Sequence, residues 1–189
     1  FSVSEQFQVR NTNATIEQSK ERLKRISESL EGTNKTLLVY LSMGFGNPYG
    51  DPWSEAHVLT LAKELYETMG IAHFALSDTI GCATPVLIEH LYPYLTVALK
   101  DVEWGLHLHS KPENTNAIIQ SAIKVGCQRM DSALLGIGGC PMAADGLTGN
   151  LATEQLINVL EVKNINHQVD QTFFNIAQHK AKRLFSHYF

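Results

Sequence analysis

Residues 102–109 read Val102-Glu103-Trp104-Gly105-Leu106-His107-Leu108-His109, an apolar run that closes on two histidines. A short apolar stretch bounded by polar residues is typical of a buried strand. Side chains alternate along a strand with a period of two, so His107 and His109 are expected to project from the same face. The stretch therefore predicts a strand that ends with two imidazoles on one side.

Three further strand-like runs occur along the chain, and a helical pattern follows each of the four runs. The first residues of successive runs are about 28 to 35 positions apart, the length of one strand-helix unit. This repeat predicts an α/β fold with a parallel sheet. The predicted strands are 37–41, 72–76, 102–108 and 130–135, and the predicted helices are 15–30, 54–69, 85–99, 113–125 and 152–162.

The repeat favours a (β/α)₈ barrel that is present only in part, with a smaller open sheet as the alternative. A complete barrel usually takes about 250 residues, whereas this chain has 189. Four units are clear, and Phe1–Ser4 is a candidate end of a fifth strand. We therefore expect the chain to contain the last four or five of the eight barrel strands, from strand 4 or 5 to strand 8, with their helices. They form a single catalytic domain over residues 1–189, in which 164–189 is a C-terminal helical extension.

The composition narrows the range of partners. A net charge of −4 and the lack of a basic stripe argue against a nucleic-acid surface. No apolar run approaches the roughly 20 residues that a membrane span needs. An odd number of cysteines in a chain of this size favours free thiols in a reducing compartment. We expect a cytoplasmic protein without nucleic-acid or membrane partners, and a targeting segment ahead of Phe1 stays open.

An incomplete parallel sheet leaves an open edge, which must be covered by further sequence or by a partner chain. A homo-oligomer, most simply a dimer, is therefore expected. The extension contains Phe173, Phe174 and Ile176, which predict a helix that packs on the exterior of the barrel or on another subunit.

Polar residues collect where the predicted strands end, in loops that begin at Ser42, Ser77, His107 and Gly136. In parallel α/β folds ligands bind beyond the carboxyl ends of the strands, and the same loops form the active face of a barrel. His107 and His109 are candidates to bind a divalent cation. The alternative is one histidine hydrogen-bonded in the core and one at the rim.

Three further residues are candidates for the same site. Asn150 offers an amide oxygen to a hard cation, or caps the helix that follows it. Cys140 stands on a glycine-rich loop that leaves its thiol accessible for acid-base chemistry, or is an incidental thiol. Asp78 is a carboxylate base, an orienter of a metal ligand, or a cap of the next turn.

Several motifs together resemble those of the hydroxymethylglutaryl-CoA lyase family. The most specific are Gly136-Ile137-Gly138-Gly139-Cys140-Pro141-Met142-Ala143 and Gly149-Asn150-Leu151-Ala152-Thr153-Glu154. Ser77-Asp78-Thr79-Ile80-Gly81, His107-Leu108-His109 and Ser2-Val3-Ser4-Glu5 add to the resemblance in the same order. The similarity runs from residue 1 to about residue 162 and corresponds to the C-terminal five-eighths of the barrel.

The resemblance implies a (β/α)₈ barrel that cleaves 3-hydroxy-3-methylglutaryl-CoA, or a similar acyl-CoA, to acetoacetate and acetyl-CoA with Mg²⁺ or Mn²⁺. It implies that His107, His109 and Asn150 are metal ligands and that Cys140 is the catalytic thiol. It also places Asp78 close to the chemistry and gives His107 a second role in proton transfer.

The sequence departs from the family pattern at three points. The Arg-Asp pair of the family's first strand has no counterpart in this chain, Ser110 stands where an aspartate is usual, and Met142 stands where a tyrosine is common. We therefore expect the isolated chain to be weakly active or inactive. The alternatives are a condensing enzyme of the isopropylmalate or homocitrate synthase type, which lacks the thiol loop, and a degenerate, non-catalytic lyase-like binding module.

Overall fold

The computed structural model describes residues 1–139 and 148–186, which form one α/β layer arrangement. Five short strands and seven α-helices occur in these ranges. The strands are β1 (Val39–Leu41), β2 (His73–Ser77), β3 (Glu103–His107), β4 (His109–Ser110) and β5 (Gly149–Asn150). The helices are α1 (Glu5–Thr12), α2 (Ile16–Leu30), α3 (Glu55–Met69), α4 (Pro85–Ala98), α5 (Thr115–Lys124), α6 (Thr153–Val162) and α7 (Gln171–Leu184).

The main sheet is parallel, with the strand order β1-β2-β3. Single parallel bridges extend it on both sides, from Ser2 to Ser42 and from Leu106 to Met130. Five neighbouring segments of the described chain therefore run in the same direction. The predicted parallel α/β fold is confirmed, and Phe1–Ser4 does contribute to the fifth segment.

The prediction of a strand over residues 130–135 is wrong in its second half. Only Met130 and Ala133 make strand bridges, and a 3₁₀ turn follows at Leu134–Gly136. Leu135 and Gly136 both have positive φ angles, of 60° and 64°, which are incompatible with a continuing strand. The apolar side chains in this run suggested a strand, but the backbone leaves the sheet there.

The helices begin and end where local capping chemistry allows. Helix α2 starts at a capping box formed by Thr15 and Gln18. Helix α4 starts after Thr84, whose hydroxyl accepts a hydrogen bond from the backbone of Leu87, and has a proline in its first turn. Gly70, in the left-handed conformation, ends α3. Helix α1 was not predicted from the sequence.

The core lies between the sheet and helices α3 to α6. Leu41, Leu76 and Leu106 are opposite one another on three neighbouring strands, and each is at most 1% exposed. Burying a leucine side chain contributes about 1.5–3 kcal/mol. This apolar row fixes the register of the strands, and the register in turn determines which polar side chains meet at the strand ends.

The C-terminal extension forms α7, which begins at a cap made by Asp170. Of the residues expected to pack, Phe173 and Ile176 are 71% and 47% exposed, so these two do not pack on this molecule, and packing on another subunit stays a prediction. Ala181 instead forms the buried part of the helix. Within the described ranges, no helix is both long and apolar enough to span a membrane.

Candidate functional site

The loops at the carboxyl edge of the sheet are joined to one another by hydrogen bonds. The backbone N–H of Met43 donates to the Thr79 hydroxyl over 2.9 Å. The N–H of Gly44 donates to the carbonyl of Ser77, and the N–H of Asp78 donates to the carbonyl of His107. These bonds hold consecutive strand ends in a fixed arrangement, so side chains that are distant in sequence converge there.

His107 and His109 lie together at this edge, with their ring centroids 5.1 Å apart and their planes nearly perpendicular. The Nδ1 atom of His109 is 2.5 Å from the carbonyl oxygen of Asp78, and Nδ1 of His107 is 3.1 Å from Oδ2 of Asp131. Burial lowers the pKa of His109 and favours its neutral form. Because a carbonyl only accepts, Nδ1 of His109 donates and Nε2 retains its lone pair.

His109 and Asn150 are direct cross-strand partners in the antiparallel pair β4-β5. The side-chain NH₂ group of Asn150 donates to the carbonyl of Ile137 over 3.0 Å, which leaves its Oδ1 available. The alternative in which Asn150 caps the next helix is wrong. Helix α6 starts later, after Ala152, and has no side-chain cap.

A cavity of about 440 Å³ opens between these groups and is lined by His107, His109 and Asn150, with Ser77 among its other lining residues. In the part of the chain that the structure describes, neither histidine Nε2 atom nor Asn150 Oδ1 is engaged by another residue. Two imidazole nitrogens and an amide oxygen suit a divalent cation such as Mn²⁺. Over residues 1–139 and 148–186, no group of three or more histidine, cysteine, aspartate or glutamate side chains could hold a metal ion.

Asp78 contacts this site through its backbone carbonyl, which accepts the hydrogen bond from His109. Its side chain is fully buried and accepts hydrogen bonds from the N–H groups of Cys82 and Ala83, each over 2.9 Å. Burial raises the pKa of the carboxyl group, while these hydrogen bonds oppose that shift. The carboxylate therefore caps its own loop, and the carbonyl of the same residue orients His109.

The glycine-rich turn packs directly on β5. A Cβ atom at Gly149 would lie 2.7 Å from the carbonyl oxygen of Gly136, a backbone contact that excludes any side chain. Glu154, in the first turn of α6, accepts a hydrogen bond from the backbone N–H of Leu135 over 3.0 Å. Cys140 and Met142 lie outside the described residues, whereas Gly139 lines the same cavity as Asn150.

Ser110, which departs from the sequence pattern noted above, shares a hydrogen bond of 2.7 Å with the Thr115 hydroxyl and is buried. Its side chain therefore stabilises the start of α5. The cysteines at 82 and 127 are free thiols, as expected. Burial raises the pKa of Cys82 to about 12 and also raises that of Cys127, so neither is an activated thiol.

Sequence reasoning missed three residues of the site, Tyr40, Arg129 and Asp131. Tyr40 donates a hydrogen bond of 2.7 Å to Oδ2 of Asp131, the same oxygen that faces His107. Arg129 lies 3.4 Å from the other carboxylate oxygen. The available signal was a charged residue on each side of Met130, inside an otherwise strand-like run.

Comparison with known proteins identifies the family to which the chain is similar. The HMGL-like family matches residues 1–179. The mitochondrial hydroxymethylglutaryl-CoA lyase of Pongo abelii is 33% identical over 169 residues, which are 89% of this chain and 51% of that protein. The chain thus spans about half the length of this curated relative.

Two solved structures are similar over nearly the whole chain. The HMG-CoA lyase of Bacillus subtilis is 30% identical with a TM-score of 0.89, covering 98% of this chain and 62% of that one. An HMG-CoA lyase from Acinetobacter baumannii, in complex with coenzyme A and 3-methylmalate, is 29% identical with a TM-score of 0.88. It covers 98% of this chain and 60% of that one.

Proposed function

This chain belongs to the HMGL-like family, and from that premise we propose that its protein is a metal-dependent carbon–carbon lyase. The proposed reaction cleaves 3-hydroxy-3-methylglutaryl-CoA to acetoacetate and acetyl-CoA. One observation carries the proposal for this chain. His109 and Asn150 are cross-strand partners, and His107 lies beside them with its ring centroid 5.1 Å from that of His109.

We propose His107, His109 and Asn150 as the residues of this chain that bind the cation. When bound, a divalent cation acts as a Lewis acid on the tertiary hydroxyl of the substrate. The Asp78 carbonyl keeps the Nε2 lone pair of His109 directed away from the loop, because Nδ1 is occupied. Asp78 thus remains in the proposed site as an orienting residue.

The acid-base steps are assigned to side chains of the same edge. A base removes the proton of the hydroxyl, the carbon–carbon bond breaks, and the departing thioester enolate takes up a proton. Cys140 is the proposed donor of that proton, and His107 is the proposed relay for the hydroxyl proton. Because Nδ1 of His107 faces Asp131, only Nε2 can accept that proton, so proton relay and cation binding are alternative roles of this atom. The half-buried position of His107 at the rim leaves it reachable from solvent, as a relay requires.

We propose that the five parallel segments correspond to strands four to eight of a (β/α)₈ barrel. Residues 1–189 then form one partial barrel domain with 164–189 as its helical extension. The proposed substrate is an acyl-CoA thioester, in keeping with the coenzyme A bound by the Acinetobacter relative. A cytoplasmic homodimer without nucleic-acid or membrane partners remains our prediction, and light scattering of the purified protein measures its subunit number.

The function is tested by assaying acetoacetate release from 3-hydroxy-3-methylglutaryl-CoA with Mn²⁺, using this chain together with the barrel strands that carry the family's Arg-Asp pair, because the 189-residue chain alone is expected to be weakly active or inactive. We expect turnover that Cys140→Ala lowers by about 10²–10⁴-fold, the usual contribution of a positioned acid or base. Cys127→Ala is the matched control, because this cysteine is buried among core residues. It should leave the rate nearly unchanged.

Two outcomes would contradict the proposal. Failure of the unaltered protein to release acetoacetate would reject the lyase, and consumption of acetyl-CoA with a 2-oxo acid would support a condensing enzyme. Full activity of Cys140→Ala would reject the assigned role of the thiol. Binding of Mn²⁺ without either reaction would favour a non-catalytic binding module.

A further inference from the structure

Asp131 is the meeting point of a small polar network beside the proposed metal site. One carboxylate oxygen, Oδ2, lies 3.1 Å from Nδ1 of His107 and accepts the Tyr40 hydroxyl over 2.7 Å. The other oxygen, Oδ1, lies 3.4 Å from the guanidinium group of Arg129. Both oxygens are therefore engaged, and the Asp131 side chain is only 27% exposed.

The backbone places Asp131 there. Its N–H donates to the carbonyl of Leu106 over 3.0 Å, immediately next to the bridge between Leu106 and Met130. This pairing puts the aspartate on the segment adjacent to β3, level with His107. Because the attachment is a main-chain bond between neighbouring segments, the position of the carboxylate is set by the sheet.

Gly105 makes room for the cationic end of the network. A Cβ atom at this position would lie 3.0 Å from Nη1 of Arg129 and 3.1 Å from its carbonyl oxygen. The guanidinium group therefore extends close over the strand, towards the ring of Tyr40, whose centroid is 6.0 Å away. Arg129 balances the charge of Asp131 at Oδ1, the carboxylate oxygen that does not contact His107.

The imidazole of His107 is restrained in two directions. The carboxylate oxygen of Asp131 contacts Nδ1 of the ring, and the Tyr40 ring meets it edge-on at a centroid distance of 5.4 Å. A carboxylate only accepts hydrogen bonds, so Nδ1 carries the proton and the lone pair of the neutral ring is on Nε2. The two contacts therefore fix both the orientation of the ring and its tautomer.

We propose that Asp131 is a positioning residue, whose carboxylate holds His107 in the Nδ1–H tautomer so that Nε2 serves the cavity shared with His109 and Asn150. The inference rests on the proposed metal site. It also identifies an asymmetry within that site. His109 is oriented by a backbone carbonyl that no substitution removes, whereas His107 is oriented by a side chain.

The test uses Asp131→Asn, which preserves the shape of the side chain but replaces an acceptor-only group with an amide. Long-range ¹H–¹⁵N spectra of the metal-free protein report the tautomer of each histidine. We expect His107 to lose its single Nδ1–H tautomer while His109 retains its own. Electron paramagnetic resonance of free Mn²⁺ should show the dissociation constant rising about 10- to 100-fold, as for other outer partners of metal ligands.

Glu103→Gln is the matched control, because Glu103 pairs with His73 over 3.2 Å on the same sheet but at its opposite end. This variant should change neither the tautomer of His107 nor the affinity for Mn²⁺. Asp131→Glu retains the charge and is the second variant. It should keep the His107 tautomer while weakening Mn²⁺ binding, and it tests the proposal even where Asp131→Asn fails to fold.

An unchanged His107 tautomer together with unchanged Mn²⁺ affinity in Asp131→Asn would overturn the proposal. So would a loss of the tautomer in Glu103→Gln, since the effect would then not be specific to Asp131. If the unaltered protein binds no Mn²⁺, the proposed function fails. The tautomer of His107 in the metal-free protein still decides the role of Asp131.

Discussion

The two ends of the sheet each contain a histidine paired with a carboxylate on a neighbouring segment. At the amino end, His73 and Glu103 are 3.2 Å apart, with side chains 37% and 61% exposed. At the carboxyl end, His107 and Asp131 are 3.1 Å apart, with side chains 30% and 27% exposed. Judged by distance alone, the two pairs are equivalent.

Their surroundings distinguish them. No hydrogen bond of the His73 or Glu103 side chain to a third residue occurs in the described ranges, and such an exposed pair contributes only about 0–1 kcal/mol. The carboxyl-end pair adjoins Tyr40, His109 and the cavity that Asn150 also lines. A functional site is marked by several groups that converge on one space, and an ion pair by itself does not indicate one.

The largest expected effect tests whether both ends belong to one cooperative sheet. Leu76 is fully buried in β2, between the two ends, and Leu76→Ala should lower the free energy of unfolding by about 2–5 kcal/mol. Urea denaturation followed by circular dichroism measures this. Val97→Ala, at a site 67% exposed on α4, is the control and should stay within about 0.5 kcal/mol. Separate unfolding transitions would show that the two ends of the sheet do not unfold together, and the two histidine–carboxylate pairs could then not be compared as parts of one sheet.

The next prediction separates the two ends directly. His109→Ala removes a proposed ligand. It should weaken Mn²⁺ binding by more than about 100-fold, because loss of a residue that only orients a metal ligand already costs up to about that much. His73→Ala removes the exposed histidine of the amino end and should change the affinity less than about twofold. Calorimetric titration of both variants measures the difference. Equal losses in the two would show that cation binding is not confined to the carboxyl end.

The strands and helices could be predicted because their signals are local. Apolar runs, Thr84-Pro85 and the glycine after α3 each act within a few residues. Helix α1 was missed because only Phe7 and Gln8 of its eight residues are buried, which leaves little apolar periodicity. The strand assigned to 130–135 was too long because the positive φ of Leu135 has no signature in the side chain.

The candidate site was predictable only in part. The spacing of His107 and His109 follows from strand geometry, so their proximity could be inferred from sequence. The contact of Tyr40 with Asp131 depends on the register of segments that are 91 residues apart, which no local pattern encodes. The residues alone left Asn150 either as a cation ligand or as a cap of the helix that follows, and the sequence does not show that β5 intervenes and pairs it with His109.

A smaller effect is expected from the turn that supports Asn150. Gly149→Ala would force a Cβ atom against the carbonyl of Gly136 and displace β5, so Mn²⁺ affinity should fall about 10-fold, as for an outer partner. Gly70→Ala is the control. It places alanine at φ +66° in open space, which costs about 1–2 kcal/mol of stability without moving the site. If both variants weaken Mn²⁺ equally, general destabilisation is the cause.

The smallest expected effect concerns the two described thiols, which lie near opposite ends of the sheet. Cys82 is in contact with the buried carboxylate of Asp78, and burial raises its pKa to about 12, so almost none of it is thiolate at pH 8. Burial raises the pKa of Cys127 as well. Neither should be alkylated by iodoacetamide at pH 8, and labelling of Cys82 should grow only as the pH approaches 12, provided the protein stays folded.

Peptide mapping by mass spectrometry separates the cysteines, and the urea-unfolded protein is the positive control in which all should react. Rapid labelling of Cys82 alone at pH 8 would mean that the carboxyl end activates any thiol placed there. Slow labelling of both Cys82 and Cys127 would show that a position near the candidate site is not sufficient to activate a thiol. A thiol beside a carboxylate is disfavoured as an anion, whereas a thiol beside a bound cation would be favoured. The reactivity of Cys82 therefore reports the sign of the local field on the Asp78 side of the site.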